Sequence, residues 1–394
     1  MDQPVRADVT TVERVEDIEA FRGLRKTWND LLADSGAARP FLTWEWLFTW
    51  WKHLADGRRL RLLLVRRRGE LIAIAPLCSR RRGLSGLLAL PSLEFLGAGD
   101  VGSDYLDLIV RRGREEIAVR AIAEELEGED VVLEFRRLAR RDSVAGTLAG
   151  QLRQRGWAQS ASAPDVCPFI RLSGHSWESY LTSLGPRHRY NFRRRLRGLM
   201  RRFDVRLCRA RSGEERRDAF ERLVAMHNLR WSGRGGSTAL HRPALVSFHR
   251  EAIEEISEQG WLRLLILRLD GRPVAILYGF LYRRVFYFYQ SGFDLAFHKD
   301  SVGLVTLGLA IQSAIEEGAE EFDLLHGSES YKYQWTGEAR ELERVELYPP
   351  HARGVLSRAA TDLGRNVRGM ARRLLPGPAV SADPGWETKV DADA

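Results

Sequence analysis

The sequence predicts an α+β fold with a mixed sheet, built from two copies of one unit, and three observations support this prediction. First, residues 60–77 and 262–279 align without gaps and are identical at eight of 18 positions. Second, each copy is an apolar run, a polar turn with glycine and a second apolar run, which is typical of a β-hairpin. Third, helices precede each hairpin and a strand, a helix and a strand follow it. A doubly wound parallel sheet would instead need regular alternation of strands and helices.

In the first half, apolar side chains recur at helical spacing before the hairpin. The second of these helices carries four tryptophans (Trp44, Trp46, Trp50 and Trp51) around its circumference, which predicts burial on all sides. The alternative is that these tryptophan rings line a groove and stack against bound sugars. The elements expected around the hairpin are helices over 17–34 and 43–55, a strand over 105–110, a helix over 114–127 and a strand over 131–135.

The second half repeats this order with one additional helix before its hairpin. The elements expected there are helices over 188–202, 213–230 and 243–259, a strand over 285–290, a helix over 303–317 and a strand over 321–325. We therefore expect an N-terminal half over 1–172 and a C-terminal half over 173–350. An Arg-rich amphipathic helix over 351–376 and a polar, disordered tail over 377–394 follow.

Composition narrows the class of protein. The chain has 394 residues, 61 Lys and Arg against 53 Asp and Glu, and a net charge of +8, which favours polyanionic partners. Cys78, Cys167 and Cys208 are scattered without metal-ligand spacing, so neither a disulfide scaffold nor a zinc site is indicated. The N-terminus lacks the apolar core of a signal peptide, and no run approaches the ~18 apolar residues of a spanning helix. We expect a soluble cytoplasmic protein.

The phosphate-binding motifs GxGxxG and GxxxxGK[ST] do not occur. A helix is nevertheless predicted to begin after Ser301, where Val302, Gly303 and Leu304 follow a strand and a loop. Free N–H groups and the helix dipole at such a start suit a pyrophosphate. The alternative is that Ser301 only caps the helix and Gly303 only permits close packing.

Several segments together resemble the GNAT-type acyltransferases, specifically the tandem-GNAT branch associated with cellulose or exopolysaccharide biosynthesis, which is distantly similar to Fem-type peptidyl transferases. The resemblance covers residues 180–345 well, and the first half mainly through FLTWEWLFTWW (41–51) and the first hairpin. It rests on the order of RHRYNFRRRLRGL (187–199), the Arg230–Trp231 pair, the hairpin 262–282, and the later segments YQSGFD, SVG, FDLLHG and YKYQW. The fuller Q/R-x-x-G-x-G/A loop of standard GNAT enzymes is reduced here to Ser301-Val302-Gly303.

The resemblance implies two tandem GNAT-like units and an N- or O-acyltransferase whose donor is an acyl-CoA, most simply acetyl-CoA, and whose acceptor is a polysaccharide or cell-envelope precursor. Backbone amides at Ser301, Val302, Gly303 and Leu304 would hold the pyrophosphate. The splayed strand 285–290 would polarise the thioester carbonyl. A carboxylate would take the acceptor's proton and a phenol would protonate the thiolate. The candidates are Asp323, Asp294 and the weaker Glu329 for the carboxylate, and Tyr289, Tyr331 and Tyr333 for the phenol.

Substrate contacts are assigned to Arg189, Asn191, Arg193, Trp231, His326 and Lys332, and no metal is expected. Other roles remain open: Asp323 as a cap, Asp294 as a turn residue, Tyr289 as packing, His326 as a hydrogen-bonding residue, and the arginines of 187–206 as a solvated face. We expect no cofactor in the first half, because Glu115 and Glu116 begin its helix.

Two other functions remain open. A Fem-type transfer of an aminoacyl group from tRNA to a peptidoglycan precursor would explain the basic charge and the duplication. A non-catalytic polyanion-binding protein is supported by charge alone, and no sequence-specific nucleic-acid motif is present. The helix over 352–375 could lie on an anionic membrane or dock onto the protein itself.

Overall fold

The computed structural model describes residues 9–81, 90–160, 165–232 and 240–374, excluding the side chains of 230–232 and 364–374. The expected tail, 377–394, lies outside the described residues. The chain forms two compact units, Met1–Asp165 with Glu341–Gly377, and Val166–Arg340. None of the helices in the described ranges has the length and apolarity to cross a bilayer.

The first unit is a mixed sheet with helices. Its sheet order is β1-β2-β3-β4-β6-β14, with β5 beside β3 and β7 beside β14. Among the described residues, β4 and β6 pair in parallel and the other pairs are antiparallel. The strands are β1 (Thr10–Val15), β2 (Arg59–Arg67), β3 (Glu70–Arg80), β4 (Ser92–Phe95), β5 (Ile109–Val110), β6 (Val132–Ala139), β7 (Ala158–Ser160) and β14 (Ala339–Tyr348). The helices are α1 (Ile18–Gly23), α2 (Arg25–Ala33), α3 (Trp44–Leu54), α4 (Glu115–Leu126), α5 (Val144–Gln154) and α11 (Ala352–Leu374).

The second unit has the sheet order β8-β13-β12-β11-β10-β9. In its described part, β12 and β13 pair in parallel and the other pairs are antiparallel. Its strands are β8 (Asp165–Arg171), β9 (Val205–Arg209), β10 (Leu262–Leu269), β11 (Arg272–Tyr282), β12 (Val285–Phe293) and β13 (Glu321–Asp323). Its helices are α6 (Trp177–Ser183), α7 (Pro186–Met200), α8 (Gly213–Ser232), α9 (Pro243–Glu258) and α10 (Val302–Glu316). The observed boundary precedes the expected one because β8 pairs with β13. The predicted mixed α+β fold class is confirmed.

The sequence repeat corresponds to two hairpins of the same geometry. The turn glycines Gly69 and Gly271 have positive φ values of 84° and 79°, which a two-residue hairpin turn requires. The register shifts at the same place in both, after Val65 in β2 and after Leu267 in β10. Two of the eight shared identities lie at these features: the turn glycine, and the arginine that follows each register shift, Arg66 and Arg268.

The predicted strand over 105–110 is wrong in most of its length, since only Ile109 and Val110 are a strand. The parallel strand of the first unit that corresponds to β12 is instead β4, which pairs with both β3 and β6. Residues 96–108 form a loop between β4 and β5. Tyr105 there has a φ of 59°, and Asp107 accepts hydrogen bonds from the N–H groups that start α5. The apolar residues of this run are buried, but the left-handed conformation of Tyr105 and the capping bonds of Asp107 prevent a continuous strand.

The helix predicted over 17–34 is two helices, because the chain turns at Leu24 between α1 and α2. The strands β1, β4, β7, β9 and β14 and the helices α5 and α6 were not predicted. The tryptophan helix α3 forms as expected, with Trp46 and Trp50 buried.

The core of the second unit fixes the position of α10. Gly308 of α10 lies against α7: a Cβ there would be 2.2 Å from Phe192 Cε2 and 2.8 Å from Trp335 Cη2. On the same face, Phe288 of β12 belongs to the buried cluster that contains Leu304 and Leu307. Because this packing is tight, the start of α10 is held at a defined place beside β12.

Candidate active site

The parallel pair β12–β13 opens into a gap. Pairing covers only three positions and ends where Tyr287 lies opposite Asp323. Strand β12 continues to Phe293 on β11, whereas β13 stops at Asp323. The backbone of β12 beyond Tyr287 therefore borders a gap in the sheet.

A β-bulge lies at the start of this gap. Tyr278 of β11 is opposite Gln290, whereas Gly279 is opposite Phe288, so Tyr289 is the extra residue of β12. Gly279 permits the close approach, since a Cβ there would lie 2.5 Å from the Tyr287 carbonyl oxygen. A bulge bends the strand and redirects its backbone groups.

Helix α10 begins beside the gap. Ser301 occupies the N-cap position of α10 with a φ of 54°, but its hydroxyl makes no capping bond, which removes the side-chain cap considered as the alternative. Its own N–H donates to the His298 carbonyl oxygen, and its carbonyl accepts from Val305. The first N–H groups of a helix, here at Val302, Gly303 and Leu304, have no acceptor within the helix and suit an anion.

A cleft joins the gap, the helix start and one of the tyrosines. Strand β12 contributes Phe288 and Ser291 to its lining, α10 contributes Gly303 and Thr306, and the following loop contributes Tyr331. The structure thus brings together Gly303 and Tyr331, two of the residues chosen from the sequence.

Arginines of α7 hold the turn that precedes α10. Arg195 donates to the Lys299 carbonyl oxygen at 2.9 Å, and Arg202 pairs with Asp300 at 2.6 Å. Burial, and then the charge of Arg194, lower the pKa of the Arg195 guanidinium. Its Nε is buried and has no hydrogen-bond partner among the residues that the structure describes. Arg195 is a site candidate that the sequence did not single out, because it lies among nine similar arginines.

The two stronger candidate carboxylates, Asp323 and Asp294, each accept a backbone N–H and pair with an arginine. Asp323 is 1% exposed, accepts from the Leu325 N–H at 2.8 Å and pairs with Arg340 at 3.3 Å. Asp294 accepts from the Ala296 N–H and pairs with Arg272 at 2.6 Å. Asp323 nevertheless occupies the last paired position of β13, at the edge of the gap.

The loop after β13 is held by Lys332. This side chain is 3% exposed, and its Nζ donates to the carbonyl oxygens of His326 and Leu325 and pairs with Glu329. His326 is half-buried and contributes its backbone oxygen to this contact. The ammonium of Lys332 thus points into the loop and positions the segment that carries Tyr331.

The other tyrosines and the α7 residues lie apart from the cleft lining. Tyr289 contacts His249 of α9 through its hydroxyl, and Tyr333 is 42% exposed. The three α7 candidates have partners of their own: Arg189 donates to the Thr182 carbonyl, Asn191 accepts from Arg194, and Arg193 pairs with Glu178. The side chain of Trp231 lies outside the described residues.

A metal site was not expected from the sequence. Within the ranges that the structure describes, no group of three or more His, Cys, Asp or Glu side chains is arranged to hold a metal ion.

Comparisons with known proteins agree with this fold. Residues 186–333 match the family model described as "Acetyltransferase (GNAT) domain". No curated protein matches the chain in sequence.

Several solved structures share the fold at low identity. FemX is 12% identical with a TM-score of 0.60, over 85% of this chain and 96% of that one. The C-terminal domain (DUF2156) of a putative lysylphosphatidylglycerol synthetase from Agrobacterium fabrum is 10% identical with a TM-score of 0.52, over 87% and 96%. L-PGS from Bacillus licheniformis is 12% identical with a TM-score of 0.50, over 89% and 97%. The chain therefore carries a segment that matches the GNAT acetyltransferase domain, within a fold similar to that of FemX.

Proposed function

We propose that the second unit is an acyl-CoA-dependent acyltransferase that uses acetyl-CoA as its donor and a polysaccharide or cell-envelope precursor as its N- or O-nucleophile. The observation that carries the proposal is the cleft where the gap beside β12, the start of α10 and Tyr331 meet. The match of residues 186–333 to the GNAT domain supports the same donor.

The donor would bind with its pyrophosphate at the start of α10. The N–H groups of Val302, Gly303 and Leu304 supply hydrogen bonds and the positive end of the helix dipole. Arg195, with its buried and unpartnered Nε, adds a cation beside the same turn. Lys332 is bound to carbonyl oxygens and has a structural role in this proposal.

The thioester would then enter the gap. A backbone N–H of β12 near the bulge polarises the carbonyl, as an oxyanion-hole donor does. The Tyr331 phenol, in the lining of the cleft, donates a proton to the departing thiolate. The proton that the acceptor amine or hydroxyl loses on attack returns through water to the Tyr331 oxygen, so the phenol is restored. Asp323 keeps Arg340 and the 324–325 turn in place at the edge of the gap.

Ligand-induced stabilisation tests the donor. Acetyl-CoA at about 100 times its dissociation constant adds about 2.7 kcal/mol to the free energy of unfolding, which a thermal shift detects. The shift disappears in Gly303→Glu, whose carboxylate would occupy the anion site. It persists in Gly198→Glu, which places the same residue on α7, where a Cβ meets nothing within 4 Å. An undiminished shift in Gly303→Glu contradicts the proposed location.

We also propose that the first unit binds no CoA. Residues 96–108 stand where the continuous strand of the second unit carries its bulge, and Glu115 and Glu116 lie in the first turn of α4. Two equivalents of bound CoA per chain contradict this proposal.

Transfer from an aminoacyl-tRNA is the second candidate function. Four exposed arginines favour it, three in α7 and one directly after that helix, and the described residues provide no ion pair for any of them. They are Arg187, Arg194, Arg197 and Arg201. Binding to phosphates would be salt-dependent. Salt-sensitive retention of charged tRNA, together with no binding of acetyl-CoA, selects this function.

We further propose that α11 contacts an anionic membrane surface. Leu356 and Leu363 are 49% and 66% exposed on a helix that also carries Arg353 and Arg358. The chain is expected to float with vesicles that contain phosphatidylglycerol, and Leu356→Glu with Leu363→Glu abolishes flotation. Flotation that survives both changes contradicts the proposal.

A further inference from the structure

A buried polar cluster lies behind the bulge, on the face of the sheet away from α10. His249 of α9 is 1% exposed, and its Nε2 lies 3.3 Å from the Tyr289 hydroxyl. The rings of these two residues are 5.3 Å apart, and the Tyr278 ring lies 5.2 Å from that of Tyr289. The chemistry proposed above does not use these side chains.

Tyr289 is the bulged residue itself. Phe288 before it packs with α10, whereas Tyr289 points to α9, so the bulge lies between two anchors on opposite faces. A bulged residue is outside the regular ladder, and a slip of one residue would move every following side chain of β12 to the other face. The hydroxyl of Tyr289 therefore needs a fixed partner if the bulge is to keep its place.

His249 is suited to this task. Burial lowers the pKa of its imidazole to about 3, so the ring is neutral near pH 7 and brings no uncompensated charge into the core. A neutral imidazole offers one donor and one acceptor, and either can pair with a phenol. The contact joins α9 to β12 across 40 residues of sequence.

We propose that His249 is a positioning residue for acyl transfer: it holds the Tyr289 phenol, and this fixes the β12 backbone that meets the thioester carbonyl. The inference rests on the proposed function, because it assigns the cluster a role only if an acyl-CoA binds in the gap. His249 itself touches neither the donor nor the acceptor. Its effect reaches the acyl group through Tyr289 and the bulge.

The test compares two ligands that differ only in the acyl group. Dissociation constants for acetyl-CoA and CoA are measured by calorimetry on the full chain and on Tyr289→Phe, His249→Phe and His249→Gln. We expect acetyl-CoA affinity to fall about fivefold in Tyr289→Phe and His249→Phe, as for the loss of one neutral hydrogen bond, while CoA affinity stays unchanged. His249→Gln, whose amide can also donate and accept, retains the wild-type ratio.

Tyr278→Phe is the matched control, since it removes a neighbouring hydroxyl for which the described residues offer no partner. It keeps the wild-type ratio. An unchanged ratio in Tyr289→Phe and His249→Phe, or equal losses for acetyl-CoA and CoA, overturns the inference and leaves the donor assignment intact. If the unaltered chain binds neither ligand, the proposed function fails, and this inference with it.

Discussion

Gly308→Ala tests whether the contact between α7 and α10 determines the stability of the second unit. A Cβ at Gly308 would be 2.2 Å from Phe192 Cε2, 2.8 Å from Phe192 Cζ and 2.8 Å from Trp335 Cη2. All three distances are shorter than van der Waals contact, and both rings are buried. The rings or the helix must therefore move to admit one methyl group.

The magnitude follows from two opposing terms. Overpacking of a close-packed core costs about 1–3 kcal/mol. Replacing glycine by alanine within a helix contributes about 1 kcal/mol in the opposite direction. Gly308→Ala therefore lowers the free energy of unfolding by up to about 2 kcal/mol. Gly198→Ala in α7, where a Cβ meets nothing within 4 Å, has only the favourable term and raises it by up to about 1 kcal/mol.

Urea titration of the two variants beside the unaltered chain measures both changes as shifts of the midpoint. The structure predicts shifts of opposite sign. Equal stabilisation by both substitutions would refute the close contact at Gly308, and with it the argument that this contact fixes the start of α10.

Three further predictions concern buried polar groups. Tyr278→Phe removes a buried hydroxyl without a partner among the described residues, and it should raise the free energy of unfolding by about 1 kcal/mol in urea titration; a loss would show that the hydroxyl is satisfied. Asp323→Asn keeps an acceptor for the Leu325 N–H but loses the charge paired with Arg340, so it should lower the free energy of unfolding by about 1 kcal/mol and leave the calorimetric affinity for acetyl-CoA unchanged. Asp323→Ala loses both interactions and should lower the free energy of unfolding by about 2–3 kcal/mol, so equal losses in the two variants would contradict the hydrogen bond. His249 has a pKa of about 3 in the folded chain against about 6.5 in the unfolded chain, so acid protonates the unfolded chain first and the free energy of unfolding falls by about 2 kcal/mol from pH 8 to pH 5. Urea titrations of His249→Gln across that range should lack this part of the loss. The same dependence of stability on pH in His249→Gln and in the unaltered chain would contradict the neutral, buried imidazole.

Local patterns in the sequence predicted the parts of the fold that depend on local interactions. The hairpins follow from a repeated apolar pattern around Gly69 and Gly271, and α10 begins within one residue of its predicted start. Helix propensity, turn chemistry and periodicity act over a few residues and are therefore visible in the chain. The strand over 105–110 was wrong because a distant helix, α5, takes the carboxylate of Asp107.

The sequence predicted only those site residues that belong to a local sequence pattern. Gly303 could be chosen because it begins a helix after a strand, and the structure places Tyr331 beside it. Arg195 contacts a residue 104 positions away, and His249 one that is 40 positions away, so neither carries a local signal. The bulge at Tyr289 depends on the register of β11 against β12, which tertiary packing decides.

The most direct test of the central claim is calorimetric titration of the full chain with acetyl-CoA, beside Gly303→Glu and the matched Gly198→Glu. The account predicts about one equivalent per chain, binding that is lost in Gly303→Glu and binding that is retained in Gly198→Glu. Absence of binding to the unaltered chain, or full binding to Gly303→Glu, would contradict a donor site at the start of α10.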